Sequence, residues 1–109
     1  MSTYLMLGKY SPEARKAISA ERTDEALALI KENGGEIKAG YALLGDTDLA
    51  IIVDLPDTGS AMKTSVALGN LLGVSFSTVP AVTVEEFDRL MADQEAEHAF
   101  PSFGLPRPL

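Results

Sequence analysis

The chain has 109 residues, of which 46% are hydrophobic and 23% are charged, a length and composition typical of one globular domain. Sixteen acidic residues against nine basic ones give a formal net charge of −7, which argues against nucleic acid or an anionic membrane as a partner. The chain contains no Cys, which excludes disulfides, thiolate metal sites and thiol chemistry within it.

The first predicted elements are a strand and a helical region. Residues 3–9 form a short segment that is aromatic and apolar on both alternating faces, and this pattern favours a strand. Ser11-Pro12-Glu13 follows as a helix start, with Ser as the cap and Pro in the first turn. Apolar residues then keep helical spacing as far as Asn33, and the polar stretch 19–24 predicts a break or kink between two helical pieces. Gly34 and Gly35 favour the end of the helix.

A hairpin is the clearest local prediction. Residues 36–44 alternate as a second strand, and the alternation places Ile37, Ala39, Tyr41 and Leu43 on one face. Residues 45–48 (GDTD) form a turn, and residues 49–55 (LAIIVDL) form a dense apolar third strand.

A helix, a strand and a further helix are predicted for the rest of the chain. Asp57 or Thr58 caps a helix that ends at Gly73, and residues 74–82 alternate as a fourth strand with Pro80 at a sheet edge. Thr83 and the acidic residues after it begin a last helix, which is expected to end near Glu97. We predict a domain over residues 1–98 and a Pro-rich tail over residues 99–109.

The order β-α-β-β-α-β with an added terminal helix is typical of the ferredoxin-like fold, an α+β domain with a four-stranded antiparallel sheet covered by helices on one face. The first and third strands are apolar on both faces, whereas a solvated sheet surface shows polar residues at every second position. The sequence therefore predicts a homodimer in which two sheets pack face to face. No export signal or membrane-spanning run is recognised, so a cytoplasmic location is expected.

No metal and no cofactor is predicted. His98, the sole histidine, is interpreted either as an acid, base or metal ligand or as a solvated side chain at a helix end, and the second interpretation is favoured. The acidic residues lack the spacing of a calcium loop, and the glycines lack the spacing of a phosphate loop. Asp46 and Asp48 are either a carboxylate pair or turn residues that bond their own backbone, and the turn is favoured.

Two stretches resemble a known family. Residues 4–13 (YLMLGKYSPE) and residues 40–57 (GYALLGDTDLAIIVDLPD) are similar to the GYD-domain family of small bacterial proteins, and the resemblance covers residues 3–90. It implies the fold of the dimeric α/β barrel proteins. The Gly-Tyr-Asp element of that family falls near Asp46-Thr47-Asp48, where Thr47 replaces the tyrosine and Asp48 is retained. The resemblance implies a fold rather than an activity.

The candidate site residues combine apolar packing with hydrogen-bonding capacity, as a tyrosine does when its ring packs and its hydroxyl finds a partner. We predict ligand-binding roles for Tyr4, Met6, Tyr10, Tyr41, Asp48, Phe76 and Ser77, and we assign no catalytic residue. They predict a pocket for a small apolar or aromatic molecule, with cofactor-free oxygenase or isomerase chemistry as one hypothesis. The alternative is a non-catalytic assembly or regulatory module that acts through protein–protein contacts.

Overall fold

A computed structural model of the chain describes residues 1–97, so the predictions for His98 and for the tail, residues 99–109, lie outside the described residues. Within residues 1–97 none of the helices combines the length and the apolar character needed to cross a bilayer. The elements, in chain order, are β1 (Ser2–Tyr10), α1 (Pro12–Arg15), α2 (Ala20–Glu32), β2 (Glu36–Ala42), β3 (Leu49–Leu55), α3 (Thr58–Leu72), β4 (Val74–Ala81) and α4 (Val84–Glu97).

The four strands form one antiparallel sheet in the order β2-β3-β1-β4, which confirms the predicted ferredoxin-like fold. Helix α3 lies over β4, β1 and β3, and α2 lies beside α3 over β2. Alternate residues of the central strands therefore turn toward the helices and are buried. The buried apolar core consists of Tyr4, Met6, Ala26, Ile30, Ile51, Val53, Leu55, Ala61, Leu68, Leu72 and Val74.

The two helical pieces before β2 are present, but the break between them differs from the prediction. The polar stretch 19–24 is not the break, because Ser19 caps α2 by accepting a hydrogen bond from the backbone N–H of Arg22, and α2 begins at Ala20. Polar residues suit a cap and an exposed first turn as well as they suit a break. The interruption is residues 16–19, and α1 is a short helix capped by Ser11.

Helix α3 has the caps that the sequence predicts. Asp57 is the N-cap, and its Oδ1 accepts a hydrogen bond of 2.8 Å from the backbone N–H of Ser60. Gly73 ends the helix at φ 68°, in the left-handed region where a side chain is disfavoured. A Cβ atom at Gly73 would also lie 2.6 Å from the Cβ of Ala14, so this glycine brings α1 close to the end of α3.

Strand β2 departs from the predicted alternation at a bulge. Ile37 pairs with Val53 and Ala39 pairs with Ile52, so two consecutive residues of β3 face β2 residues that are two apart. Ile37 therefore lies on the helix side of the sheet, whereas Ala39 and Tyr41 pair with residues of the opposite side. The prediction of one common face for Ile37, Ala39 and Tyr41 was wrong, because an extra residue in one strand reverses the side-chain alternation. The strand also ends at Ala42, before Leu43 and Leu44.

Asp54 connects three strands on the side of the sheet away from the helices. The Thr3 hydroxyl donates a hydrogen bond of 2.6 Å to Oδ1 of Asp54, and Lys38 Nζ lies 3.5 Å from Oδ2. The bond from Thr3 lowers the pKa of Asp54 most, partial burial opposes it, and the charge of Lys38 adds to the lowering. A lowered pKa in the folded state stabilises the fold above the unfolded-state pKa, and this stabilisation is lost as pH falls through the folded-state value.

We expect Thr3→Val to raise the pKa of Asp54 toward its ordinary value. It should cost about 0.5–1 kcal/mol of unfolding free energy at pH 7, because a partly exposed hydrogen bond to a carboxylate is lost. The difference from wild type should shrink at acid pH, where Asp54 is protonated in both proteins. Carboxyl NMR titration and urea unfolding at several pH values measure the two effects, and an unchanged pKa would contradict the assignment.

Thr64 is fully buried on α3, and its hydroxyl has no hydrogen-bond partner among the described residues. An unsatisfied buried hydroxyl costs about 1–3 kcal/mol, so we expect Thr64→Val, which keeps the shape, to stabilise the protein by about 1 kcal/mol. Ser65→Ala on the same helix is the matched control. The Ser65 hydroxyl forms a hydrogen bond of 3.0 Å with Thr78 Oγ1, and loss of this hydrogen bond should destabilise the protein. Thermal unfolding compares the two variants, and a destabilised Thr64→Val would show that the hydroxyl is satisfied.

Candidate functional site

A cavity of about 270 Å³, which we call the α2 cavity, lies between the α1–α2 segment and the helix side of β2 and β3. Its inner wall includes the buried residues Ala26, Ile30 and Ile51, whereas Ala17 and Gly40 in its outer wall are exposed. The cavity is therefore open to solvent on the side of the edge strand β2. Its lining residues are Tyr10, Ala14, Ala17, Ile18, Ser19, Arg22, Thr23, Ala26, Leu27, Ile30, Ile37, Gly40, Tyr41, Ala42, Leu49, Ile51 and Leu72.

The α2 cavity exists because small residues face one another across it. The helical segment contributes three alanines to its lining, and β2 contributes Gly40 and Ala42. A Cβ atom at Gly40 would find no atom closer than Ile37 Cδ1, at 3.8 Å. Helix α3 approaches β4 closely, since a Cβ atom at Gly69 would lie 2.9 Å from the carbonyl oxygen of Val74. On the α2 side the small residues leave a gap between helix and sheet.

One charged side chain, Arg22, lines the α2 cavity among the described residues. Arg22 is half-buried, and its Nη1 donates a hydrogen bond to the carbonyl of Leu71 at the end of α3. The other lining residues with a hydroxyl on the helix side are Tyr10, the N-cap Ser19 and Thr23, whereas Tyr41 borders the cavity from a β2 position whose pairing lies on the open side of the sheet. Of residues 1–93, whose side chains the structure describes, no Asp, Glu or His is part of this lining. The cavity offers hydrogen-bond donors and one positive charge.

Of the seven predicted ligand-binding residues, Tyr10 and Tyr41 border the α2 cavity. Tyr4 is 5% exposed in the core, with its hydroxyl 3.4 Å from Thr58 Oγ1, and borders a separate cleft between α3 and β4. Met6 is fully buried and fills the core. The structure therefore places Tyr4 and Met6 under α3, away from the α2 cavity.

The other three predicted residues lie at three different places. Phe76 borders a cleft between the end of β1 and α3, and Ser77 pairs with Leu7 on the side of the sheet away from the helices. Asp48 Oδ2 accepts a hydrogen bond of 2.9 Å from the backbone N–H of Tyr10 and lies 3.3 Å from Arg15 Nη2. Asp48 thus connects the β2–β3 hairpin to the end of β1 through a hydrogen bond. Among the side chains of residues 1–93 no group of three or more His, Cys, Asp or Glu is arranged to hold a metal ion.

The sheet surface away from the helices, which we call the open sheet face, carries an apolar band across all four strands. The register aligns Ala39, Ile52, Leu5 and Val79 in one row and Tyr41, Ala50, Leu7 and Ser77 in the next. Polar residues flank the band, with Thr3 and Asp54 on one side and Lys9 and Ser75 on the other. An apolar centre with a polar border is the pattern of a protein interface.

Helix α4 carries a second exposed apolar surface. Val84, Phe87, Leu90 and Met91 are each at least 42% exposed and share one side of the helix through their spacing. We call this surface the α4 stripe. Within residues 1–97, α4 does not pack against the sheet or helices to the extent that α2 and α3 do.

Comparison with models of known protein families shows which family this chain belongs to. The model of the GYD domain matches residues 4–91, which include the sheet, α2, α3 and most of α4. The chain belongs to the GYD domain family. This membership confirms the resemblance seen in the sequence, and it places both the α2 cavity and the open sheet face inside the GYD domain.

The fold of this GYD domain also occurs in a solved structure. The crystal structure of the leucine response regulatory protein (LrpA) of Mycobacterium tuberculosis matches with a TM-score of 0.53 and 11% sequence identity, over 75% of the GYD chain and 51% of the LrpA chain. The GYD chain thus spans about half the length of that protein, and at this identity the likeness shows the fold alone. The search of curated proteins found no significant match.

Sequence reasoning missed the residues that create the α2 cavity, above all Arg22, Ala26 and Gly40. The available signal was a set of small residues at Ala14, Ala17 and Ala26 on the helical side, together with the Gly40 and Ala42 alternation on β2. Small residues also permit close packing, so their identity alone does not distinguish a tight contact from a gap. The distance between α2 and β2 in this GYD domain decides between them.

Proposed function

We propose that this protein binds a small apolar or aromatic molecule in the α2 cavity. The observation that supports this proposal is an accessible, mainly apolar cavity of about 270 Å³ that is lined by small residues. Protein interiors are normally filled to the density of organic crystals, and open apolar pockets with a few polar groups are the usual form of small-molecule sites. The size suits one aromatic ring or a short alkyl chain.

We propose that the α2 cavity binds its ligand without catalysing a reaction. Oxygenase or isomerase chemistry without a cofactor needs a group that removes a proton from the substrate. Among the described residues the lining of the α2 cavity supplies hydroxyls and a guanidinium, and no carboxylate or imidazole. These groups favour a receptor, carrier or sensor role for the cavity over catalysis.

Thermal unfolding with a panel of small molecules tests the binding proposal. The panel contains indole, p-cresol, 3-phenylpropan-1-ol and 1-hexanol, with glycerol and glucose as polar controls. A ligand at 100 times its dissociation constant should add about 2.7 kcal/mol of stability, whereas the polar controls should add nothing. Absence of stabilisation by every apolar member at saturation in water would contradict the proposal.

We also propose that a second copy of the chain covers the open sheet face. The support is the apolar band, because Leu5, Leu7 and Ile52 lie on a side of the sheet that no helix of residues 1–97 covers. Two such bands are self-complementary in a two-fold arrangement, since each copy presents the same apolar rows and the same polar border. This self-association is also what the assembly alternative requires.

The α4 stripe is a second apolar surface that supports self-association. Phe87, Leu90 and Met91 gain little burial within their own chain, and exposed apolar surface of this kind is typical of a protein interface. Sedimentation equilibrium at low micromolar concentration tests the assembly. We expect a mass of about 23 kDa, twice the 11.6 kDa of one chain, and a mass of one chain would contradict it.

A further inference from the structure

We propose that the molecule bound in the α2 cavity is a monoanion, a carboxylate on a small apolar body, and that Arg22 binds the carboxylate. This inference rests on the proposed function of the cavity and adds the chemical class of its ligand. It starts from the charge balance of the site, where Arg22 is the one charged side chain of the lining among the described residues.

Arg22 differs from the other described arginines in its surroundings. Arg15 and Arg89 have exposed side chains, and each forms an ion pair, with Asp48 and Glu86 respectively. Arg22 is half-buried, and no carboxylate oxygen of residues 1–93 lies within 4.0 Å of it. The least exposed of these three arginines is therefore the one without a counter-ion among the described side chains.

The geometry leaves Arg22 able to take an external anion. Its Nη1 is held by the carbonyl of Leu71, which fixes the direction of the planar group, and a guanidinium has five N–H donors. A partly desolvated cation is stabilised by an anion that supplies both charge and hydrogen bonds, and carboxylates match the guanidinium plane with two parallel bonds. Because the bond to Leu71 already limits the rotamers of Arg22, little ordering is needed on binding.

The rest of the lining favours an apolar body for the ligand and disfavours a positively charged ligand. The residues beyond Arg22 are mainly alanine, leucine and isoleucine, which favour a ring or a short chain. An ammonium group would meet the Arg22 charge without a carboxylate to offset it, since the described lining has none. The expected order of affinity is therefore carboxylate, then alcohol, then amine on one carbon skeleton.

Isothermal titration at pH 7 with 3-phenylpropanoate, 3-phenylpropan-1-ol and 3-phenylpropylamine tests this order. We expect the carboxylate to bind roughly 10- to 100-fold more tightly than the alcohol, the gain typical of a hydrogen bond to a charged group. Arg22→Gln should remove this preference and leave the affinity for the alcohol unchanged. Lys63→Gln on α3 removes the same charge away from the cavity lining, and it should keep the preference.

The outcomes separate this inference from the proposed function. Equal binding of the alcohol and the carboxylate would overturn the anion inference and leave an apolar receptor. A carboxylate preference that persists in folded Arg22→Gln would overturn the role of Arg22. Absence of binding by all three compounds would overturn both the inference and the cavity as a ligand site. If Arg22→Gln does not fold, the three-compound series on wild type and on Arg22→Lys, which keeps the charge, still decides the charge preference.

Discussion

Gly40→Leu is expected to abolish ligand binding while making the protein more stable. Position 40 has no positive φ, and a Cβ atom there meets nothing closer than 3.8 Å, so a leucine can enter the α2 cavity without displacing the backbone. Burial of its side chain and the loss of glycine flexibility in the unfolded chain should together add about 1–2 kcal/mol. A site variant that is more stable than wild type separates loss of binding from loss of folding.

Gly59→Leu is the matched control for this prediction. Gly59 is exposed in the first turn of α3, away from the α2 cavity, so the same substitution there should leave ligand affinity unchanged. Titration calorimetry with 3-phenylpropanoate and urea unfolding of both variants provide the comparison. If Gly40→Leu binds the probe as wild type does, the ligand occupies another part of the molecule.

Ile52→Glu is expected to convert the dimer to a monomer. Ile52 lies at the centre of the apolar band, between Ala39 and Leu5, and it faces away from the helices. A two-fold interface would bury the new carboxylate twice without a partner, and an unpaired buried charge costs several kcal/mol. The dimer dissociation constant should rise by at least about 100-fold, the equivalent of roughly 2.7 kcal/mol.

The fold itself should survive Ile52→Glu, because in the monomer this side chain is only partly buried and lies outside the core. Val66→Glu places the same charge on an exposed apolar residue of α3, away from the open sheet face, and should leave the mass at that of a dimer. Light scattering and circular dichroism of both variants compare assembly with folding. A dimer that persists in Ile52→Glu at low micromolar concentration would place the interface elsewhere.

Most of the fold follows from local signals in the sequence. The turn at residues 45–48 and the apolar run that follows it specify the hairpin, and the Asp57 cap and Gly73 delimit α3. The bulge beside Lys38 was not predictable in this way, because it depends on how β2 aligns with β3 and leaves no special residue in the sequence. One extra residue was enough to place Tyr41 on the opposite side from Ile37.

The candidate site was less predictable than the fold, because it depends on distances between elements. Alternation predicts that Met6 and Ser77 each face one side of the sheet. Only the register of β1 with β4 shows that the two residues face opposite sides. Arg22 gave no signal, since an arginine in a polar stretch usually faces solvent. Its contact with Leu71 comes from the packing of α2 beside α3, which joins residues 49 positions apart in the chain.

The most direct test of the ligand site is an isotope-filtered NMR measurement of contacts between bound 3-phenylpropanoate and protein methyl groups. We expect nuclear Overhauser effects from the aromatic ring to the methyls of Ala26, Ala42 and Ile51, which line the α2 cavity. Effects confined to Leu5 and Ile52 on the open sheet face would contradict the account, since the ligand would then occupy the surface that we assign to a second copy.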